Sequence, residues 1–200
     1  MSTATGVGAL LLAAGAAHRY GGPKQLAKID GLSLLRRAAL ACIEAGCGLR
    51  VVLGAHADDL AGELSGLELR TVLNPAWQAG MGSSIACGVR DWLHHGPAPA
   101  ALLIVLVDQP RVGAAQLRRL IDAHHQTPER LLVADYGGTR GPPCLFPPSC
   151  YAELSGLSGA SGAKPVLQAH PELISALAMP EAGFDIDTPD DYRRLAGLPG

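Results

Sequence analysis

Short apolar runs that do not alternate with polar residues recur along the chain, at Val7 to Ala14, Arg50 to Gly54, Leu69 to Leu73, Ala101 to Val107 and Leu131 to Ala134. A strand wetted on one face alternates apolar and polar side chains, whereas one rich in Leu and Val throughout is buried on both faces. The runs therefore predict a mostly parallel sheet with helices on both faces. Helical periodicity fills the gaps between them. Ser33 to Ala45 has Ser33 as a candidate N-cap and Gly46 as its stop, Ser84 to His94 puts Ile85, Val89, Trp92 and Leu93 on one face, and Ala114 to His125 does the same with Leu117, Leu120 and Ile121. Thr188-Pro189-Asp190-Asp191 combines a capping Thr, a Pro at the first helical position and acids in the first turn, a strong helix start. Strand and helix in alternation predict an α/β, Rossmann-like doubly wound fold. With 200 residues, 48% of them hydrophobic, the chain fills one sizeable core, so residues 1–200 read as a single domain. Gly, Pro and Ser crowd Tyr136 to Gly162, which predicts an irregular excursion beside the active edge of the sheet, at about 136–170.

A formal net charge of -2 with scattered Lys and Arg leaves no basic stripe of the kind a nucleic-acid polymer requires. Small anions are the expected partners. Five cysteines, Cys42, Cys47, Cys87, Cys144 and Cys150, form no C-x-x-C pair, which argues against zinc and fits a reducing, cytoplasmic setting. The run from Val7 to Ala14 has no basic region before it and is far short of the ~20 apolar residues that span a bilayer. No membrane association is expected.

The first run leads into Ala13-Ala14-Gly15-Ala16-Ala17-His18-Arg19-Tyr20-Gly21-Gly22-Pro23-Lys24, a small-residue turn whose backbone N–H groups can approach phosphates, followed by two cations. Its spacing fits neither the P-loop nor the dinucleotide fingerprint. Read in isolation, it is equally a plain Gly-rich turn with solvated Arg19 and Lys24. Asp108 closes the most apolar run, and a carboxylate at the carboxyl end of a central parallel strand faces the crevice where such sheets bind ligands. The adjacent pairs His94-His95 and His124-His125 cannot face one another on a helix, so neither predicts a metal site. His18 is open between phosphate contact and solvent-facing turn, and Trp77 between packing and base stacking.

Taken together, Leu12-Ala13-Ala14-Gly15, Arg19 and Lys24 resemble the signature of the MobA-like nucleotidyltransferases, most closely the molybdenum cofactor cytidylyltransferase branch. Further blocks in the family's order are Asn74 with Gly80-Met81-Gly82-Ser83-Ser84, Val107-Asp108-Gln109-Pro110, Arg140-Gly141-Pro142-Pro143 with Leu145-Phe146, and Asp185-Ile186-Asp187-Thr188-Pro189-Asp190-Asp191. The resemblance covers nearly the whole chain. It implies a nucleotide-diphospho-sugar transferase type of fold and transfer of NMP from an NTP, CTP by the Ala14 of the LAAG form, to a phosphorylated acceptor such as molybdopterin, with release of pyrophosphate. It assigns Leu12, Ala13, Ala14 and Gly15 to the triphosphate, Arg19 and Lys24 to its charge, and Gly82, Ser83 and Ser84 to base or ribose. It assigns Mg2+ to Asp108 and Asp187, with Asp185 as the lesser candidate for the second ligand, and makes Arg19, Lys24 and Asp108 the catalytic set. Asp187 remains open as an acid supporting the Thr188 cap, and Ser84 as an ordinary N-cap. Two positions depart from the branch, Pro142 where a His is expected and Ala160 where an Asp is expected, both on the acceptor side. A sugar-phosphate nucleotidyltransferase, and a non-catalytic nucleotide-binding module serving a molybdenum enzyme, are the alternatives.

Overall fold

The computed structural model describes residues 6–196, so the single-domain reading of residues 1–200 extends at both ends beyond the described residues. In chain order the elements are β1 Gly8–Leu12, β2 Lys28–Ile29, β3 Leu32–Ser33, α1 Leu34–Glu44, β4 Gly48–Leu53, α2 Ala57–Ala61, β5 Arg70–Leu73, α3 Met81–His94, β6 Leu102–Leu106, α4 Ala114–Gln126, β7 Leu131–Tyr136, β8 Thr139–Phe146, α5 Tyr151–Ser155, α6 Lys164–Ala169, β9 Ile174–Ala178 and α7 Pro189–Ala196. Seven strands form one sheet in the order β5-β4-β1-β6-β8-β7-β9, and β2 with β3 makes a separate antiparallel pair. All neighbours run parallel except β8, which is antiparallel to both β6 and β7. The chain moves outward from β1 through β4 to β5 and then returns to lay β6 on the other side of β1. Strand order thus reverses between β1 and β6, the topological switch point at which open α/β sheets form their crevice.

The runs of β1, β4, β6 and β7 are explained by cover on both faces, whereas β5, at the sheet edge, buries only Val72. Ala9, Leu11 and Ala13 point into a core shared with Leu34, Leu35 and Cys42 of α1 and Leu117 and Leu120 of α4. Leu10, Leu12 and Ala14 point into a second core with Ile85 and Val89 of α3 and Tyr151 and Leu154 of the α5 layer. Leu10 and Leu11 are both fully buried, and each such side chain contributes about 1.5–3 kcal/mol by leaving water. At the start of α1, Ser33 Oγ accepts from the Arg36 N–H at 3.1 Å. At its end Gly46 adopts φ 85°, and Cys47 N–H bonds back to Cys42 O, a Gly-terminated closure of the last turn. Arg50, on β4, is a buried cation: it pairs with Asp91 of α3 at 2.9 Å and lies 3.8 Å from the Trp92 ring centroid. The five cysteines are free thiols, and burial pushes Cys47 up to about 11. No helix among the described residues is long and apolar enough to cross a membrane.

Two expectations are corrected. Within the stretch read as an irregular excursion, residues 139–146 form a strand that sits inside the sheet, with Cys144, Leu145 and Phe146 buried. Its prolines are accommodated because the register slips there: Val133 pairs with Cys144 and Ala134 with Gly141, leaving Pro142 and Pro143 in a bulge, where a missing N–H costs no ladder bond. Helix α3 begins at Met81, three residues before Ser84, because the chain turns into it at Gly80, at φ 104°.

Candidate active site

The carboxyl ends of β1 and β6 open into a cleft of about 470 Å³, lined by the 12–19 loop, Lys24, Gln25, Trp77, Met81, Ser84, Asp108 and Asp187 among others. The loop after β1 is held from below. Ala13 N–H donates to Val52 O at 2.9 Å and Ala55 N–H to Ala14 O at 3.0 Å. A Cβ at Gly54 would stand 2.6 Å from Ala14 O and 2.7 Å from Trp77 Cβ, so only glycine lets the two loops approach. Ala17 takes φ 52°, a left-handed conformation that L residues rarely adopt and that is concentrated at ligand loops.

Gln25, 2% exposed, is the clamp that sequence reasoning missed. Its amide donates to Ala13 O at 3.0 Å and Gly15 O at 2.8 Å, fastening the small-residue turn to the segment that carries Lys24. A second clamp, Gln109, donates to Pro142 O at 3.0 Å and Ala182 O at 2.8 Å, tying the end of β6 to the β8 bulge and to the chain leading to Asp187. No spacing announces either residue; each signal is only a polar side chain beside a charged one.

Lys24 Nζ donates to Asp108 Oδ2 at 2.7 Å, Ile186 O at 2.9 Å and Asp187 Oδ1 at 3.1 Å. Burial alone lowers the Lys24 pKa, but Asp108 and Asp187 outweigh it and hold the ammonium above its ordinary range. Arg19 meets the other oxygen of Asp187 at 2.9 Å with a side chain 76% exposed. Asp108 Oδ1 and Gln25 Oε1 are buried without a hydrogen-bond partner, which suits oxygen ligation of a hard cation. No group of three or more His, Cys, Asp or Glu able to hold a metal ion occurs among the described residues, so protein carboxylates alone do not complete a cage. Asp185 is driven up to about 6 by burial of its carboxyl and by the charges of Asp108 and Asp187. Asp187 is positioned by the cap of α7: Asp191 Oδ2 accepts from the N–H groups of Asp187 at 3.1 Å and Thr188 at 2.8 Å, while Thr188 Oγ1 accepts from Asp191 N–H.

Of the expected nucleotide contacts, Leu12, Ala13, Ala14, Gly15, Arg19, Lys24 and Ser84 line the cleft together with Asp108 and Asp187, as do His18 and Trp77. Gly82 and Ser83 are turned to internal work. Gly82 N–H donates to Gly159 O at 2.9 Å. Ser83 Oγ donates to Gly80 O, and Asn74 Nδ2 donates to the hydroxyl oxygens of Ser83 and Ser84. Asn74 thereby fixes the Trp77 turn against the start of α3. Ser84 lies inside the first turn of that helix, not at its cap. Neither departure from the branch pattern supplies a titratable group: Pro142 offers its carbonyl to Gln109, and Ala160 is exposed on the loop that covers Gly80.

A doubly wound sheet with a small-residue loop, two cations and two carboxylates at its switch point defines a nucleotide-binding α/β protein. The chain belongs to the MobA-like NTP transferase domain family, whose model matches residues 9–173. It is 33% identical over 198 residues to nicotine blue oxidoreductase of Paenarthrobacter nicotinovorans, covering 93% of this chain and 94% of that protein. Among solved structures it resembles Rv0371c of Mycobacterium tuberculosis H37Rv, at 28% identity and TM-score 0.79, over 98% of this chain and 100% of that one. A manganese complex of the same mycobacterial protein matches at 27% identity and TM-score 0.78, with the same coverage.

Proposed function

We propose that the protein is a divalent-metal-dependent nucleotidyltransferase, using Mg2+, that moves NMP from an NTP, CTP by preference, to a phosphorylated acceptor of the molybdopterin type in the cytoplasm. The observation that carries this reading is the convergence of Arg19, Lys24, Asp108 and Asp187 at the lip of the 12–19 loop. The loop's backbone N–H groups and small side chains receive the triphosphate, and Arg19 and Lys24 offset its charge. Asp108 and Asp187 hold the cation, which supplies charge neutralisation at the phosphate oxygens when bound. An acceptor phosphate oxygen attacks the α-phosphorus in line: the new O–P bond forms as the bond to the β-phosphate oxygen breaks, and pyrophosphate leaves with the bonding pair. Lys24 and Arg19 follow that charge onto the leaving group. No side-chain nucleophile is required, because positioning and electrostatics carry phosphoryl chemistry.

The manganese complex of a relative supports the choice of a divalent cation. The preference for CTP rests on the LAAG form of the first loop, with Ala14 where the guanylyl branch resembles LAGG. A second reading is favoured by the full-length relative named an oxidoreductase, together with Pro142 and Ala160 on the acceptor side. In it the cleft binds a nucleotide redox cofactor and no NMP is transferred. Isothermal titration with CTP, GTP, ATP and UTP, each with and without Mg2+, followed by a pyrophosphate assay with molybdopterin, separates the readings. Metal-dependent CTP preference with acceptor-dependent pyrophosphate release is expected. Preference for another base with a sugar phosphate as acceptor points to a sugar-type enzyme. Nucleotide binding without release points to a binding module, and oxidation of NADPH without release to the redox reading.

A further inference from the structure

An ammonium has three N–H donors, and all three of Lys24 are taken by protein: Asp108 Oδ2, Ile186 O and Asp187 Oδ1. Its side chain is 12% exposed, so water does not stand in for these partners. Two of the three acceptors are the carboxylates to which the proposed function gives the metal. Lys24 leaves Asp108 Oδ1 and Asp187 Oδ2 untouched, but a divalent ion ligating these carboxylates at about 2.0–2.1 Å sets a double positive charge beside the ammonium, and the two cations draw on the same pair of negative charges. Lys24 also cannot reach a triphosphate while every donor is engaged. Arg19 offers a contrast. Among the described residues it pairs with Asp187 alone, from a side chain that is mostly in water, where an ion pair contributes little.

We infer that Lys24 and the divalent cation compete for Asp108 and Asp187, so that metal binding releases the Lys24 ammonium to the triphosphate and the two ligands bind cooperatively. This inference rests on the metal reading of the proposed function. The device has a physical rationale: with Lys24 in place the two carboxylates are neutralised and held, and the cation that displaces it frees a positive charge at the point where phosphate charge arrives. By linkage the triphosphate, in drawing Lys24 away, tightens the metal by the same factor.

The test is Mn2+ binding to the full chain in the absence of nucleotide, by electron paramagnetic resonance, in wild type, Lys24→Met and Arg19→Met, with circular dichroism confirming that each is folded. Competition predicts that Lys24→Met binds Mn2+ roughly tenfold tighter or more, within the usual range of coupling, while Arg19→Met changes it far less. In wild type Mn2+ should also tighten triphosphate binding, and that coupling should collapse in Lys24→Met. Unchanged or weaker Mn2+ affinity in Lys24→Met overturns the inference while leaving the metal assignment standing. Equal tightening in both variants also overturns it, since a general charge effect then suffices. Failure of all three proteins to bind Mn2+ overturns the metal reading itself.

Discussion

Replacing Gln25 tests whether the 12–19 loop is held by one buried amide. Its two hydrogen bonds end on carbonyls in different surroundings: Ala13 is 2% exposed, whereas Gly15 is open to solvent. In Gln25→Ala the Gly15 carbonyl is rehydrated and loses a bond worth about 0.5–1.5 kcal/mol, while the buried Ala13 carbonyl, left without its donor, costs about 1–3 kcal/mol. The sum is a loss of roughly 1.5–4.5 kcal/mol, before any contribution from the small cavity. Gln25→Glu separates donor from volume. It keeps the shape but turns anionic oxygens toward both carbonyls, so it should destabilise at least as much as alanine. Urea unfolding of the three proteins, with unchanged m-values, gives the difference directly, and titration with nucleotide should show weaker binding in both variants. A glutamate variant as stable as wild type, or an alanine variant within about 0.5 kcal/mol of it, would refute the reasoning.

Asp185→Asn should stabilise the protein at alkaline pH. The folded carboxyl titrates at about 6 against an ordinary 3.8, so the stability linked to it is full below 3.8 and lost as pH rises through about 6. Thermal unfolding should show the asparagine variant gaining on wild type well above that range and converging with it in acid; no pH dependence of the difference would contradict the assignment. Gly82→Ala should cost about 1–3 kcal/mol by overpacking, because its Cβ would lie 2.5 Å from Ser158 O and 2.8 Å from Ser158 C, both backbone atoms. Denaturant titration checks it, with a neutral outcome showing that the 158–162 loop yields freely.

How much of this was legible in sequence depends on what each residue answers to. β1, β4, β6 and β7 were visible because a strand covered on both faces must be apolar throughout, and Leu10 and Leu11 serve opposite cores with the same residue type; β5 showed through Leu69, Val72 and Leu73 although it buries only Val72. β8 was hidden by its prolines, which read as a loop until the partner strand shows that Pro142 and Pro143 fall in a bulge. β9 was hidden as well, since an edge strand of only partial burial carries little apolar signal. In the site, Asp108 could be marked by its place just beyond a central strand, whereas Arg19, Lys24 and Asp187 were marked by the order of blocks that resembles the family's, since each lies outside the strands and α-helices, where the sequence alone leaves the course of the chain open. Gln25 and Gln109 could not, since a clamp on backbone carbonyls is defined by the fold around it. Gly82 and Ser83 belong to the same block as Ser84, yet they fasten loops to α3 where Ser84 lines the cleft.

The central claim is that Asp108, at the switch point beside Lys24, belongs to a centre that transfers NMP. The most direct measurement follows radiolabel from α-labelled CTP onto molybdopterin, with pyrophosphate counted in parallel, in wild type and in Asp108→Ala shown by circular dichroism to be folded. The account predicts label and pyrophosphate in equal amounts from wild type and a loss of about a hundredfold or more in the variant. Label that never leaves the nucleotide in wild type, or transfer that survives in Asp108→Ala, would contradict it.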